Sequence, residues 1–150
     1  MFSTIQGLPL HALVVHATVV LVPLMAVLTV LVAVRPVLRV KYAWWTFAGD
    51  LAVVALVFVT MQSGLAFKKL IGGNGNPLIQ RHEQLGKQLI WFAITLAVTA
   101  LLVAVFKDRG GSSSTAATVV TSVAAVLVLV WVVRIGHTGA EAAWSGLVHK

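Results

Sequence analysis

Five histidines and no cysteine define the chemistry open to this 150-residue chain. His11 and His16 stand near the beginning, His82 in the middle, and His137 and His149 near the end. Imidazole is the commonest metal ligand and binds haem iron, zinc and copper alike. Two carboxylates accompany the histidines: Glu83 adjoins His82, and Glu141 follows His137 at the i,i+4 spacing of one helix face. Arg134 lies one turn before His137, where it can snorkel to an interface or pair with an acid such as a haem propionate. Met61 adds a soft donor. The absence of cysteine removes disulfides, iron–sulfur clusters, thiolate ligation and covalent c-type haem attachment. No Ser/His/Asp arrangement and no glycine-rich phosphate loop can be placed, which sets hydrolytic catalysis aside.

The elements that must position these groups are written for lipid. Apolar residues make up 59% of the chain and charged residues 10%, against about 25% charged in a soluble domain. Residues 1–34, 51–67, 88–106 and 110–133 contain no Asp, Glu, Lys or Arg. A hydrocarbon core about 30 Å thick needs about 20 helical residues, so each stretch is near or above a spanning length. The expected fold is an all-α, up-down four-helix bundle in the membrane, a single transmembrane domain over 1–150. Basic residues outnumber acidic ones 11 to 4. They are scattered between the apolar runs, as anionic headgroups and topology require, so nucleic acid is not an expected partner. No basic residue precedes the first apolar run, and residues 1–30 read as mature sequence rather than a signal peptide.

The first helix is expected over about 9–34, kinked at Pro23 and ended by Arg35-Pro36. Residues 35–45 read as a short connection whose Tyr42, Trp44 and Trp45 suit an interfacial belt. The other tryptophans read first as belt residues too. The second helix is expected over 46–67, with Asp50 in its first turn favoured by the helix dipole. Asn76-Pro77 is an N-cap followed by proline at the first helical position, opening a third helix over 77–106. The fourth is expected over 115–136, ended by Gly136, with residues 137–150 as a short interfacial segment. Small residues at four-residue spacing, Ala93/Ala97, Ala100/Ala104 and Ala117/Thr121/Ala125, allow close packing in lipid. No sequence repeat stands out. No acidic residue is placed at mid-membrane and no broken helix pair is read, which argues against a transporter.

Alternating helix direction gathers His11, His16, His82 and His137 toward one membrane face. The first helix is followed by Arg35, Arg39 and Lys41, so the positive-inside rule puts that turn in the cytoplasm. Both termini and the histidines then lie on the extracytoplasmic side of the cell membrane. His16 is roughly 12 Å into its helix, a depth that asks for pairing or coordination. His11 and His16, five residues apart, point about 140° away from each other on a regular helix. His16 and His137 are the preferred axial pair for haem b, with His82 and His11 as second choices. A copper or zinc site would draw on His11, His16, His82, His137, Glu83 and Glu141. The competing reading has no cofactor: the histidines are polar contacts between helices of an accessory or scaffold subunit.

Gly7-Leu8-Pro9-Leu10-His11 with Val15-His16, then His82-Glu83-Gln84-Leu85-Gly86, then Arg134-Ile135-Gly136-His137-Thr138-Gly139-Ala140 with Trp144 beyond, resemble the DUF2231 family of small four-helix membrane proteins. Together these stretches cover the chain in order. The resemblance carries His11, His16, His82 and His137 over as the positions of interest. It implies a link to electron transfer, because relatives are sometimes joined to redox domains. Ala12 and Thr18 stand where family members often have proline, which weakens a joint role for His11 and His16. The expectation is an electron carrier or small redox subunit whose partners are the bilayer and a redox protein or a second copy.

Overall fold

A computed structural model of the protein describes residues 4–5 and 8–148, with side chains over 9–145. A two-residue ladder pairs Thr4–Ile5 (β1) with Leu8–Pro9 (β2). Four helices follow: α1 (Leu10–Val34), α2 (Pro36–Leu70), α3 (Pro77–Val105) and α4 (Ser112–Val148), with a single 3₁₀ turn at Gly73–Gly75 before α3. Each of the four is long and apolar enough to cross a membrane. α1 and α3 both pack on α2 and on α4, so α1–α3 and α2–α4 are the diagonals of the bundle.

α2 and α4 run well past the expected bounds. Residues 36–45 are helical rather than a connection, and Arg35 alone separates α1 from α2. Arg35 is extended (φ −107°, ψ 106°) because the proline ring after it disfavours the helical region. Pro36 has no N–H to lose and starts the next helix. The open end of α1 is closed from outside: Arg39 Nε donates to the Ala33 carbonyl at 3.1 Å and Thr118 Oγ1 donates to the same oxygen at 3.1 Å. At the other end of the chain Gly136 does not stop α4. A glycine stop needs a left-handed backbone, and among the described glycines only Gly72 (φ 66°) and Gly111 (φ 80°) have positive φ. Those two make the reversals after α2 and before α4. Thirty-five residues span about 52 Å at 1.5 Å each, so α2 extends beyond the hydrocarbon into the interface. Charge and aromatics at 35–45 therefore mark depth, not loss of helix. Asn76 caps α3 as its sequence implies, its Oδ1 accepting from Leu78 N at 2.9 Å and Ile79 N at 3.4 Å.

The bundle is small-in and large-out. Ala93, Ala97, Ala100, Ala104, Ala117, Thr121 and Ala125 are all buried, while Val20, Val27, Trp91 and Val133 face outward. That suits lipid, where close backbone approach rather than hydrophobic exclusion holds helices together. Trp44, Trp45 and Trp144 are exposed, as belt residues should be. Trp131 is not one of them: it stacks on Phe92 at 4.6 Å and donates Nε1–H to the Leu85 carbonyl at 3.1 Å, fastening α4 to α3.

Asp50 overturns its expected setting. Because α2 begins at Pro36, Asp50 lies roughly four turns inside it, beyond reach of the N-terminal dipole. It is 1% exposed, accepts a 2.9 Å bond from Thr29 Oγ1 on α1, and its Oδ1 has no partner among the described residues. An acidic side chain thus sits within a helix long and apolar enough to cross a membrane, level with Thr29, five residues from the end of α1 rather than at its middle. All four helices run unbroken, α1 through Pro23 included. Thr29→Val leaves this carboxyl with no partner at either oxygen. It should destabilise the bundle by about 1–3 kcal/mol, read by denaturant unfolding in detergent, while Thr29→Ser changes it little.

Candidate cofactor cavity

Two histidines face each other across the bundle. His11 enters from the first turn of α1 and His82 from the second turn of α3, on opposite corners, with ring centroids 6.3 Å apart and planes at 72°. Each is held by the helix beside it in the same way. His11 Nδ1 lies 3.3 Å from the Thr60 carbonyl and 3.3 Å from Ser63 Oγ on α2. His82 Nδ1 lies 3.1 Å from the Ile135 carbonyl and 3.4 Å from Thr138 Oγ1 on α4. A carbonyl only accepts, so Nδ1 is the nitrogen that carries hydrogen in both rings. In a neutral imidazole that leaves the lone pair on Nε2. A carbonyl fixing Nδ1–H is the usual outer support of a metal-binding histidine.

A glycine completes each support. A Cβ on Gly64 would lie 3.1 Å from His11 Cε1, and one on Gly139 would lie 2.9 Å from His82 Cε1. Carbonyl, hydroxyl and glycine thus recur at i, i+3 and i+4, as Thr60, Ser63 and Gly64 on α2 and as Ile135, Thr138 and Gly139 on α4. The repetition is spatial and too sparse to register as a sequence repeat.

The rings line a cavity of about 610 Å³ reached by all four helices. It is a typical size for a small-molecule site. Its wall is mostly apolar, with Met61 and Phe67 on α2 and Trp144 on α4. Gly64, Gly86, Gly136 and Gly139 all line it. A glycine inside a helix costs about 0.8–1.0 kcal/mol relative to alanine. At Gly64 and Gly139 the close imidazole accounts for it. At Gly86 and Gly136 an added Cβ would meet nothing within 4 Å. Those two are not demanded by packing within the protein.

The remaining expected ligands are elsewhere. His16 is exposed, its Nδ1 bonded to the Ala12 carbonyl one turn back on its own helix. The structure thus brings together His11 and His82, and not the expected pair His16 and His137. Only one of two histidines five residues apart can face inward, and it is the shallower one. His137 is turned out, its side chain 74% exposed and its Nε2 3.2 Å from Glu141 Oε1. It lies two residues after Ile135 and one before Thr138, the residues that do face α3, so rotations of about 200° and 100° carry it off that face. Arg134 stacks its guanidinium 4.9 Å from the Trp131 ring centroid and does not line the cavity. Glu83 does line it, paired with Lys68 at 2.7 Å and with Lys87. His11, His16, His82, His137, Glu83 and Glu141 do not converge. Among the described residues no group of three or more such side chains could hold a metal ion. His149 lies outside the described residues. Thr60, Ser63, Gly64, Lys68 and Lys87 were not singled out by sequence. The Ser63-Gly64 and Thr138-Gly139 dipeptides were the available signal.

The architecture is that of a multi-pass membrane protein: four apolar helices around a cavity lined by two opposed imidazoles. The chain belongs to the DUF2231 family, whose model, described as a predicted membrane protein, matches residues 7–150. No curated protein and no solved structure matches it.

Proposed function

We propose that the protein binds haem b between His11 and His82 and serves as an electron carrier or small redox subunit of the membrane. One observation supports this above the rest: two facing imidazoles, each with Nδ1–H committed to a carbonyl, in an apolar cavity that glycines keep open. Metal–imidazole bonds of about 2 Å on either side of one atom put the two ring centroids roughly 6 Å apart, in keeping with the spacing here. Two ligands suffice for haem, whereas structural zinc takes four and catalytic zinc three. The donor set therefore suits haem better than a bare zinc or copper ion. Thr60 and Ile135 orient the rings, Ser63 and Thr138 support them, and Gly86 and Gly136 leave room for a flat body.

Bound there, haem b supplies one-electron exchange. His11 and His82 would both be committed to holding the group, which would leave neither imidazole free to act on a substrate. That favours electron transfer over catalysis. The cavity end is the one away from Arg35, Arg39 and Lys41, extracytoplasmic by the positive-inside rule. A redox protein or a second copy of the chain is the partner class that fits.

The competing reading rests on the same hydrogen bonds: His11 ties α1 to α2, and His82 ties α3 to α4. A cofactor-free scaffold needs no more than that. Elemental analysis with a visible spectrum of one gently purified preparation separates the two. The haem reading expects stoichiometric iron and a Soret band. Iron, copper and zinc all far below one per chain would establish the scaffold.

A further inference from the structure

The cavity wall carries an ionic group. Lys68 Nζ lies 2.7 Å from Glu83 Oε2, and Lys87 Nζ pairs with Glu83 Oε1. All three residues line the cavity, Glu83 and Lys87 flanking the His82 and Gly86 positions on α3 and Lys68 one turn beyond Gly64 on α2. An interfacial lysine ordinarily extends its ammonium to water. Lys68 instead keeps a side chain only 17% exposed beside a Glu83 that is 20% exposed. Two ammonium groups share one carboxylate, so the group carries a net charge of +1, against a wall that is otherwise mostly apolar. Such a rim matches an amphipathic ligand with an apolar body and a carboxylate edge. Arg134, which sequence suggested for that role, is stacked on Trp131 away from the cavity.

We infer that Lys68 and Lys87 form a carboxylate-reading rim that takes the propionates of the haem, with Glu83 holding the two ammonium groups in place until the ligand arrives. This rests on the reading of the cavity as a haem site. One incoming carboxylate neutralises the rim. Glu83 competes with it for the same N–H donors, so Glu83 sets the affinity from the unfavourable side.

The test titrates the full-length apoprotein in detergent with haem b and with haem b dimethyl ester, whose propionates are blocked. Wild type should bind the acid about tenfold or more tightly than the ester, the range of a charged hydrogen bond. In Lys68→Gln/Lys87→Gln that difference should collapse, both porphyrins binding alike. Glu83→Gln should bind haem b several-fold more tightly than wild type, with no such gain for the ester. A merely structural ion pair would not produce that gain. Equal binding of acid and ester to wild type, or a preference that survives the double lysine variant, overturns the rim and leaves the haem site standing. Failure of both porphyrins to bind wild type overturns the haem reading and the rim together.

Discussion

His82→Ala and His11→Ala should each convert a six-coordinate, low-spin haem protein into one that holds its haem weakly and in a mixed spin state. His16→Ala and His137→Ala should leave the spectrum as it is. On the proposed reading the first two remove a ligand of the iron. Loss of an outer-shell partner alone typically costs about 10–100-fold in affinity, and loss of a ligand should exceed that. The second two remove an exposed ring that touches the Ala12 carbonyl or Glu141. Titrating haem into each variant and recording the Soret region checks this. Truncating His82 also removes its tie to the Ile135 carbonyl and opens a void beside Gly139, so lost binding could reflect lost fold. His82→Gly with added imidazole removes that ambiguity. Free imidazole entering the gap should restore the low-spin spectrum, which no purely structural role of His82 would produce. Spectra indistinguishable among wild type, His11→Ala and His82→Ala would contradict the assignment.

The second large effect is one of opposite signs. Gly86→Leu should stabilise the apoprotein by up to about 1 kcal/mol, the gain expected when glycine is replaced inside a helix, because the new Cβ meets nothing within 4 Å. The same side chain projects into the cavity, one turn from His82, and should abolish haem uptake. Thermal unfolding without haem and Soret titration with it give the two readouts. A scaffold with no cofactor predicts the stability gain alone, so Gly86→Leu protein that still takes up haem at wild-type affinity would refute the cavity assignment. Gly139→Ala differs in kind. Its Cβ would lie 2.9 Å from His82 Cε1, so the imidazole must shift, and both apo stability and ligation should suffer.

The crossings were plain in the sequence, and the site only half so. Charge-free runs of spanning length identify four helices because the bilayer penalises every charge. The alanine spacings on α3 and α4 marked buried faces correctly, since small residues decide where helices meet in lipid. Helix ends were less legible. Between residues 35 and 45 composition turns polar where the helix leaves the hydrocarbon, and composition cannot tell an interfacial helix from a loop. Gly136 looked like a stop, yet it sits in an unbroken helix at the cavity wall. Asp50 reads as a first-turn acid only if α2 begins at residue 46, and it begins at Pro36.

The histidines show the same limit. Up-down topology brings the beginnings of α1 and α3 and the far ends of α2 and α4 to one level, so gathering His11 and His82 there followed from the order of the helices. Which histidine turns inward did not. Depth favoured His16, but rotation about the helix axis decides facing, and five residues of separation let only one of the pair look at the core. What selects His11 is on another helix: the Thr60 carbonyl, the Ser63 hydroxyl and the gap at Gly64. A single sequence does not announce that pairing. Likewise Lys68, near the end of α2, reads as an ordinary terminal cation until its contact with Glu83 is seen.

Electron paramagnetic resonance of the oxidised holoprotein, as isolated from membranes, tests the central claim most directly. Ligation by His11 and His82 together predicts one homogeneous low-spin ferric signal accounting for all the iron. A high-spin, five-coordinate signal, or a preparation without haem iron, would contradict it.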